Sequence, residues 1–347
     1  MEIVFSFIYL VIALILLVFT CIVFTNAIEH LGERLNLSHG AVGSVLAAVG
    51  TALPETIVPI VAIVGGYLAG GNTKTADEIG IGAILGAPFM LGTLAFFVTG
   101  LAVLIYSKTG RRTTDMPVCT IVMFRDMHYF MGAYLIAILS SFIPYYPLKA
   151  VIAVLLVAAY VVYAVQTIRT SSNLPDCEEE ELGELFLSKY LKGPDSLFGI
   201  VFQIIVSLLG IILLAHMFVE QIKVISESFH VNPLFLSLII TPIATELPEK
   251  LNSVIWIRAK KDTLAMGNIT GAMVFKSCIP PAVGILLTQW ILSVEALINV
   301  VIVYISVIIV YLNIMQNRGV LKHTSLLSGG LFYLIYLFYV IFKINHA

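Results

Sequence analysis

The sequence predicts an all-α integral membrane protein with ten transmembrane helices in two inverted five-helix repeats. Three observations lead to this fold class: an apolar composition, ten long hydrophobic stretches, and a motif that occurs once in each half of the chain. Of the 347 residues, 59% are hydrophobic and 12% are charged, and the mean hydropathy is +1.01. Because soluble domains carry about 25% charged residues, most of this chain is expected to lie in a bilayer.

The cysteines, the histidines and the short sequence motifs exclude several classes of protein. The four cysteines are scattered and form no CxxC pair, so neither a disulfide framework nor a zinc site is predicted. His128 and His216 stand alone, without the spacing of metal ligands. The sequence contains no nucleophile–base pair, HExxH motif or P-loop, so we predict neither an enzyme nor a cofactor. The net charge of −2 does not indicate a nucleic-acid partner.

The hydrophobic stretches define the order of the helices. A bilayer-crossing helix needs about 20 mainly apolar residues, and ten stretches meet this condition. They are 3–25, 40–69, 79–106, 117–142, 147–168, 197–220, 233–257, 263–290, 293–315 and 325–345. The polar segment 169–196, with the run DCEEEELGE, separates five spans from five spans and is predicted to be a solvated linker. The two repeats are therefore expected at 1–168 and 197–347.

The basic residues of the loops predict the orientation in the membrane. Twelve lie in the loops that follow odd-numbered spans and four in the loops and terminus on the other side. The first set is Arg34, Lys108, Arg111, Arg112, Arg169, Lys189, Lys192, Arg258, Lys260, Lys261, Arg318 and Lys322, and the second is Lys74, Lys149, Lys223 and Lys343. We therefore expect a multi-pass protein of the cell membrane with both termini outside and the central acidic loop in the cytoplasm.

The motif in each half predicts how the halves are related. TALPE at Thr51–Glu55 corresponds to TELPE at Thr245–Glu249, and GAILGAPFML at 82–91 corresponds to GNITGAMVFK at 267–276. Two halves that each contain an odd number of spans insert in opposite orientations. This arrangement is typical of secondary transporters.

Each motif places a glutamate directly after a proline, at Pro54–Glu55 and Pro248–Glu249. Proline removes a backbone donor, so we expect each helix to break or kink and to expose carbonyl oxygens at mid-membrane. Carboxylates, hydroxyls and freed carbonyls together form an all-oxygen site, which suits a hard cation such as Ca²⁺. Ionisable residues within a span indicate function by default. The alternative is a buried structural pair with a base from another helix.

These motifs resemble those of the calcium/cation antiporter superfamily, whose best-known branch is the sodium/calcium exchangers. The similar residues are GTALPE (Gly50–Glu55), ATELPE (Ala244–Glu249) and the two glycine-containing segments that follow them. The resemblance implies a ten-helix fold in which spans 2, 3, 7 and 8 line a central site. It also implies alternating access, with spans 1 and 6 sliding against that core.

The resemblance also assigns roles to particular positions. Glu55 and Glu249 match the two acidic residues that bind calcium, and Thr51 and Thr245 match threonines that contribute oxygens. Asn268 matches the family asparagine, which implies a role in orienting backbone at the site.

Six positions depart from the family pattern. They are Ala52, Ala87, Ala272 and Leu91, which lack a side-chain oxygen, together with Glu246 and Lys276. We therefore expect weak or absent sodium coupling. Glu246 is either a further metal ligand or the counter-ion of a lysine, Lys276 or Lys250. Lys276 is an internal counter-charge that could act as a tethered cation, a proton carrier or a static lock.

Three functions remain after these considerations. The first is a secondary antiporter that exchanges Ca²⁺ for H⁺ or a monovalent cation. The second is an exchanger of a different cation, and the third is a non-transporting sensor or partner subunit on an antiporter scaffold. The expected partners are inorganic cations and the lipid bilayer, and the sequence does not indicate an oligomeric state. Arg125 and Asp126 are expected to have a structural role on different faces of their helix.

Overall fold

The computed structural model describes residues 2–34, 56–68, 73–171, 185–186, 197–229 and 232–345, and at some of these, including 243–252, it describes the backbone without the side chain. The helices are α1 (Glu2–Arg34), α2 (Thr56–Leu68), α3 (Thr73–Met90), α4 (Phe96–Lys108), α5 (Thr120–Leu139), α6 (Tyr146–Ser171), α7 (Leu197–Phe229), α8 (Pro233–Arg258), α9 (Asp262–Leu287), α10 (Val294–Gln316) and α11 (His323–Asn345). A π-helical segment, Leu91–Ala95, joins α3 to α4, and a short 3₁₀ turn, Ser140–Phe142, follows α5.

The helices confirm the predicted all-α membrane fold. Within the described residues, eight helical units are long and apolar enough to cross a membrane. The second and seventh predicted spans hold shorter apolar stretches, Thr56–Leu68 and Pro233–Pro242, so the count of ten stays a prediction. α1 and α7 each have 33 residues, or about 50 Å of helix, and extend past the apolar stretches that predicted them.

The packing separates one pair of helices from most of the others. α1 and α7 pack mainly on each other, and their buried residues form a cluster with α2. The other large cluster joins α3–α6 with α8–α11. Within it, α3 packs on α8, α9 packs on α5 and α6, and α4 packs on α11. If the two halves are exchanged, the third and tenth spans correspond to the eighth and fifth spans. Both pairs are in contact, as α4 with α11 and α9 with α6.

Loops that follow odd-numbered spans meet at one end of the bundle, which we call the ribbon end. Strand β1 (Asp115–Pro117) pairs antiparallel with β2 (Val320–Lys322) there. Arg112 adds a clasp, because its guanidinium donates to both carboxylate oxygens of Asp262 at 2.7 and 2.8 Å and to the carbonyl of Ile257 at 2.9 Å. The third, seventh and ninth spans therefore end together.

Loops that follow even-numbered spans meet at the opposite end, which we call the Trp290 end. Lys149, placed in an outer loop by the sequence, is buried and donates to the carbonyl of Gln289 at 2.5 Å. The indole of Trp290 donates to the carbonyl of Ala137 at 2.9 Å. These contacts agree with an alternating path through the membrane, but which end faces the cytoplasm stays a prediction.

The helix around the second motif excludes one of the two expected outcomes. α8 is continuous across Pro242 and Pro248, so the helix does not break at the motif, and a kink there stays a prediction. A long helix packed among neighbours tolerates the loss of a backbone donor, because the surrounding helices hold it in place. Pro54 lies outside the described residues.

The central linker also differs from a fully solvated segment. Leu185 is buried and forms an apolar cluster with Ala27 of α1 and Ile200 of α7. The backbone N–H of Phe186 donates to the side chain of Asn26 at 3.0 Å. At least this part of the linker therefore packs on the pair formed by α1 and α7.

The clasp at the ribbon end leads to a stability prediction. Arg112→Ala leaves the Asp262 carboxylate, whose side chain is 3% exposed, without its cation. Removal of one partner from a buried ion pair costs about 3 kcal/mol or more. We expect a clearly lower unfolding temperature for purified protein in detergent. Lys74→Ala, which removes an exposed partner 4.0 Å from Glu78, is the control and should change nothing measurable. Equal unfolding temperatures for the Arg112 variant and the wild type would contradict the clasp.

Candidate functional site

Two glycines let the backbones of α3 and α8 approach closely. A Cβ atom at Gly82 would lie 2.6 Å from the carbonyl oxygen of Leu234, and one at Gly86 would overlap the carbonyl oxygen of Leu238. Small residues four apart on a membrane helix permit this kind of contact. The glycines belong to the GAILG segment of the first repeat, so this segment fixes where α8 lies.

The corresponding GNITG segment of the second repeat lies on α9, with contacts to three helices. Asn268 donates to the hydroxyl of Ser253 on α8 at 3.5 Å. Thr270 donates to the Asp126 carboxylate on α5 at 2.8 Å. A Cβ atom at Gly271 would lie 3.3 Å from the hydroxyl of Tyr163 on α6. The contact of Asn268 with α8 supports the orienting role implied by the family pattern, which stays a proposal.

Lys276 faces the seam between α3 and α8. Its side chain is fully buried. On α9, Asn268 marks the side of α8, and Gly284 marks the side of α3, because a Cβ atom at Gly284 would lie 2.8 Å from Ile84 Cδ1. At about 100° per residue, Lys276 lies about 80° from Asn268 and about 80° from Gly284, between the two. Lys276, which the sequence predicts beside the site, therefore lies on the side of α9 that is turned toward α3 and α8.

The helical register of α8 places the second motif on the same seam. Leu238 faces α3 and Ser253 faces α9. At about 100° per residue around the axis of α8, the positions of Thr245 and Glu249 lie within about 20° of Leu238. The position of Glu246 lies about 20° from Ser253, on the side away from Leu238. The side chains at these three positions lie outside the described parts of the chain.

The first motif lies outside the described residues, and with it Thr51, Glu55 and Ala52. Helix α2 follows the motif and forms a hairpin with α3. The two helices pack closely at Gly80, where a Cβ atom would overlap the side chain of Ile63. Thr56, the residue after Glu55, is 8% exposed. The structure therefore packs α2, the helix that follows the first motif, on α3.

Three of the positions that lack an expected oxygen can be located. Ala87 and Leu91 are buried, and Ala272 is partly buried. Leu91 corresponds to Lys276 in the repeat and begins the π-helical segment, whose Gly92 carbonyl accepts the hydroxyl of Ser306 at 2.5 Å. Such segments are frequent at functional sites, and the sequence did not predict this one.

Arg125 and Asp126 differ from the expectation that they lie on different faces. The Arg125 guanidinium folds back along its own helix and donates to the Asp126 carboxylate at 3.0 and 3.2 Å. Tyr163 donates to the same carboxylate at 3.1 Å. A long side chain can cross the angle between adjacent helix positions, so two neighbouring residues of one helix can still form an ion pair. The pair ties α5 to α6 and α9 and agrees with a structural role.

Among the described side chains, no group of three or more His, Cys, Asp or Glu residues could hold a metal ion. The predicted acidic ligands all lie at positions whose side chains are not described. The proposal of a cation site at this junction is therefore based on the helical register of α8 and on the position of Lys276.

The comparisons with known proteins identify the family. The model of the sodium/calcium exchanger protein family matches residues 5–169 and 199–345. The chain belongs to this family. A protein of Alkalimonas amylolytica that carries the name antiporter CaxA is 23% identical over 294 residues, which cover 83% of each chain. The predicted membership of the calcium/cation antiporters is confirmed, and the family is one of transporters.

Three solved structures have a similar fold. The H⁺/Ca²⁺ exchanger CAX is 14% identical, with a TM-score of 0.73 over 98% of this chain and 87% of that one. YfkE is 15% identical, with a TM-score of 0.65 over 97% and 91%. The sodium–calcium exchanger NCX_Mj is 19% identical, with a TM-score of 0.58 over 96% and 98%. At these identities the likeness shows the fold alone.

Proposed function

We propose that this family member is a secondary antiporter that exchanges Ca²⁺ for H⁺ or a monovalent cation, with weak dependence on Na⁺. The observation that carries the proposal is the junction of α3, α8 and α9. There the positions of Thr245 and Glu249 lie on the side of α8 that packs on α3 through glycines. The buried Lys276 lies on the side of α9 that is turned toward the same two helices. Carboxylate and hydroxyl oxygens beside a buried ammonium form a site for an exchangeable cation.

Weak sodium dependence follows from the residues around the junction. An ion that leaves water must have its hydration shell replaced by protein oxygens. Ala87 and Leu91 are buried apolar residues at positions where sodium-coupled relatives carry oxygen. The missing oxygens disfavour a second, sodium-binding position next to the divalent one.

A non-transporting role is the second candidate, and the burial of Lys276 favours it. An ammonium held permanently against the carboxylates would occupy the cation site and close it. The chain would then act as a sensor or partner subunit. Transport and this static state differ in whether any cation crosses the membrane.

Ion flux in proteoliposomes tests the proposal. Purified full-length chain is reconstituted, and gradients of Ca²⁺, Na⁺, K⁺ and pH are varied separately, with protein-free vesicles as the control. We expect Ca²⁺ to move against a proton or K⁺ gradient and the flux to change little when choline replaces Na⁺. A steep, saturable Na⁺ requirement would contradict the weak coupling. If no cation moves under any gradient, the non-transporting role is correct.

A further inference from the structure

Three loops bring five exposed basic side chains together at the ribbon end. The clasp of Arg112 ties the loop after α4 to the turn after α8. The backbone N–H of Val118, in the first of these loops, donates to the carbonyl of Gly319, after α10, at 3.0 Å. We call the five side chains the basic surface. They are Lys108, Arg111, Arg258, Lys260 and Arg318.

The basic surface lacks acidic partners within the part of the chain that the structure describes. The Asp262 carboxylate is held by Arg112, and Asp115 lies opposite Lys322 in the ribbon. None of the five cations forms an ion pair with a described carboxylate.

The Trp290 end differs, because three lysines there have carboxylate partners. The pairs are Lys74–Glu78, Lys223–Glu220 and Lys343–Glu295. Among the described side chains, the surplus of positive charge therefore lies at the ribbon end.

Two of the five cations occupy a backbone conformation that normally favours glycine. α4, α8 and α10 end in the same motif, in which a residue with positive φ follows the last turn and backbone N–H groups return to the carbonyls of that turn. The residue is Gly110 in α4 (φ 71°), Lys260 in α8 (φ 62°) and Arg318 in α10 (φ 52°). Positive φ strains any residue that has a Cβ atom. A strained position that nevertheless carries a cation indicates a use for the charge, beyond its attraction to the end of the helix.

Exposed apolar side chains one turn earlier show how deep the basic surface lies in the bilayer. On each of these helices, a large exposed apolar residue precedes a cation by three residues, or about 4.5 Å along the axis. The pairs are Ile105 with Lys108, Ile255 with Arg258 and Met315 with Arg318. An apolar side chain exposed on a membrane-spanning helix contacts acyl chains, and a long basic side chain next to it extends to the polar layer. The cations therefore lie at the level of the lipid headgroups.

We propose that the basic surface binds the headgroups of anionic phospholipids in the leaflet at the ribbon end. Lysine and arginine bind phosphate oxygens by charge-assisted hydrogen bonds, and basic clusters at the end of a span attract anionic lipids. A headgroup bound between the loops connects the ends of α4, α8 and α10. The proposal uses none of the residues of the cation site, so it is independent of the proposed function.

The acidic run of the linker, 176–184, is the other anionic group predicted on this side of the membrane. The described part of the linker directs it elsewhere, because Leu185 and Phe186 pack on α1 and α7. The basic surface belongs to α4, α8 and α10. This position favours lipid as the occupant.

Trp256 provides an intrinsic probe of the lipid at the basic surface. The chain contains two tryptophans: Trp256 lies two residues before Arg258, and Trp290 is fully buried at the opposite end, where it gives a background common to all variants. Full-length protein is reconstituted in mixtures of phosphatidylcholine and phosphatidylglycerol, with brominated acyl chains on one lipid or the other. Bromine quenches the fluorescence of a tryptophan that it contacts. We expect stronger quenching by the anionic lipid, and less preference at high salt.

The substitutions Lys260→Gly and Arg318→Gly, made together, separate lipid binding from a role in the helix ends. Removal of two cations should lower the preference for the anionic lipid at least about fivefold. Relief of the positive-φ strain should keep the unfolding temperature in detergent from falling. Lys260→Arg with Arg318→Lys is the matched control, which keeps both charges and should keep the preference. Arg111→Gln removes a cation at a position without positive φ and should also lower the preference.

Two results would overturn the inference. If the cations serve only the helix ends, the double glycine variant has a lower unfolding temperature and an unchanged lipid preference. If the two lipids quench the wild type equally, the basic surface does not select anionic headgroups. A preference that then appears when glutamine replaces the four glutamates 178–181 would show that the acidic run occupies the basic surface in place of lipid.

Discussion

Glu249→Gln is expected to weaken Ca²⁺ binding by at least about a hundredfold and to abolish Ca²⁺ flux in proteoliposomes. The affinity of a hard-cation site depends on the number of charged oxygens, and this substitution removes one charge while it keeps the length of the side chain. A hundredfold change in Kd corresponds to about 2.7 kcal/mol, which is of the size expected for a charged contact. The measurement is ⁴⁵Ca²⁺ binding to purified protein, followed by flux.

Glu55→Gln should give a similar loss, because the repeat makes the two glutamates equivalent. Glu227→Gln is the control, since it neutralises an exposed glutamate near the end of α7. The assignment of Glu249 fails if the Glu249 variant binds Ca²⁺ almost normally. A loss in one glutamate variant alone would show that the two halves contribute unequally to the site.

The family and the helical architecture could be predicted because they depend on local signals. Twenty-residue apolar stretches identify spans without any tertiary contact. The two motifs could be aligned because the resemblance is carried by contiguous residues, from Thr51 to Glu55 and from Thr245 to Glu249. The place of Lys276 beside the site stays a prediction, because the acidic side chains of the site lie outside the described parts of the chain.

The contacts that the sequence missed join residues far apart in the chain. Arg112 and Asp262 are 150 positions apart, and Ser237 and Ile79 are 158 apart. A single sequence contains no signal that pairs them, because each residue type is ordinary in its own segment. At Pro248 the sequence left a break and a kink open: α8 is helical throughout Pro233–Arg258, so there is no break, and a kink stays a prediction.

Substitution of Lys276 is expected to change how the site responds to monovalent and divalent ions. Lys276 is fully buried on the face of α9 between α8 and α3, where relatives carry an acid. A charge at that depth costs about 3 kcal/mol or more if it lacks compensation. A carboxylate of the site is therefore its expected counter-ion, with Glu246 as the first candidate and Glu249 as the second.

Three variants separate the possible roles of this lysine. Lys276→Asp restores the acid of the relatives, and if the ammonium is a tethered cation, we expect Ca²⁺ affinity to rise about tenfold or the flux to become sensitive to Na⁺. Lys276→Met removes the ammonium without adding an acid, and it should allow a monovalent ion to compete with Ca²⁺. Lys276→Arg keeps a charge that is not released at physiological pH, so it should abolish coupling to H⁺ if the lysine carries the proton.

The wild-type flux decides between a tethered cation and a static lock. A tethered ammonium is displaced in each cycle, so the wild type must transport and Lys276→Asp must alter its ion dependence. A static lock predicts no flux in the wild type and flux in Lys276→Asp and Lys276→Met. Lys74→Asp, at an exposed position, is the control for the added acid. If all three Lys276 variants bind and transport like the wild type, Lys276 has no part in the cation site, and its burial between α8 and α3 serves packing alone.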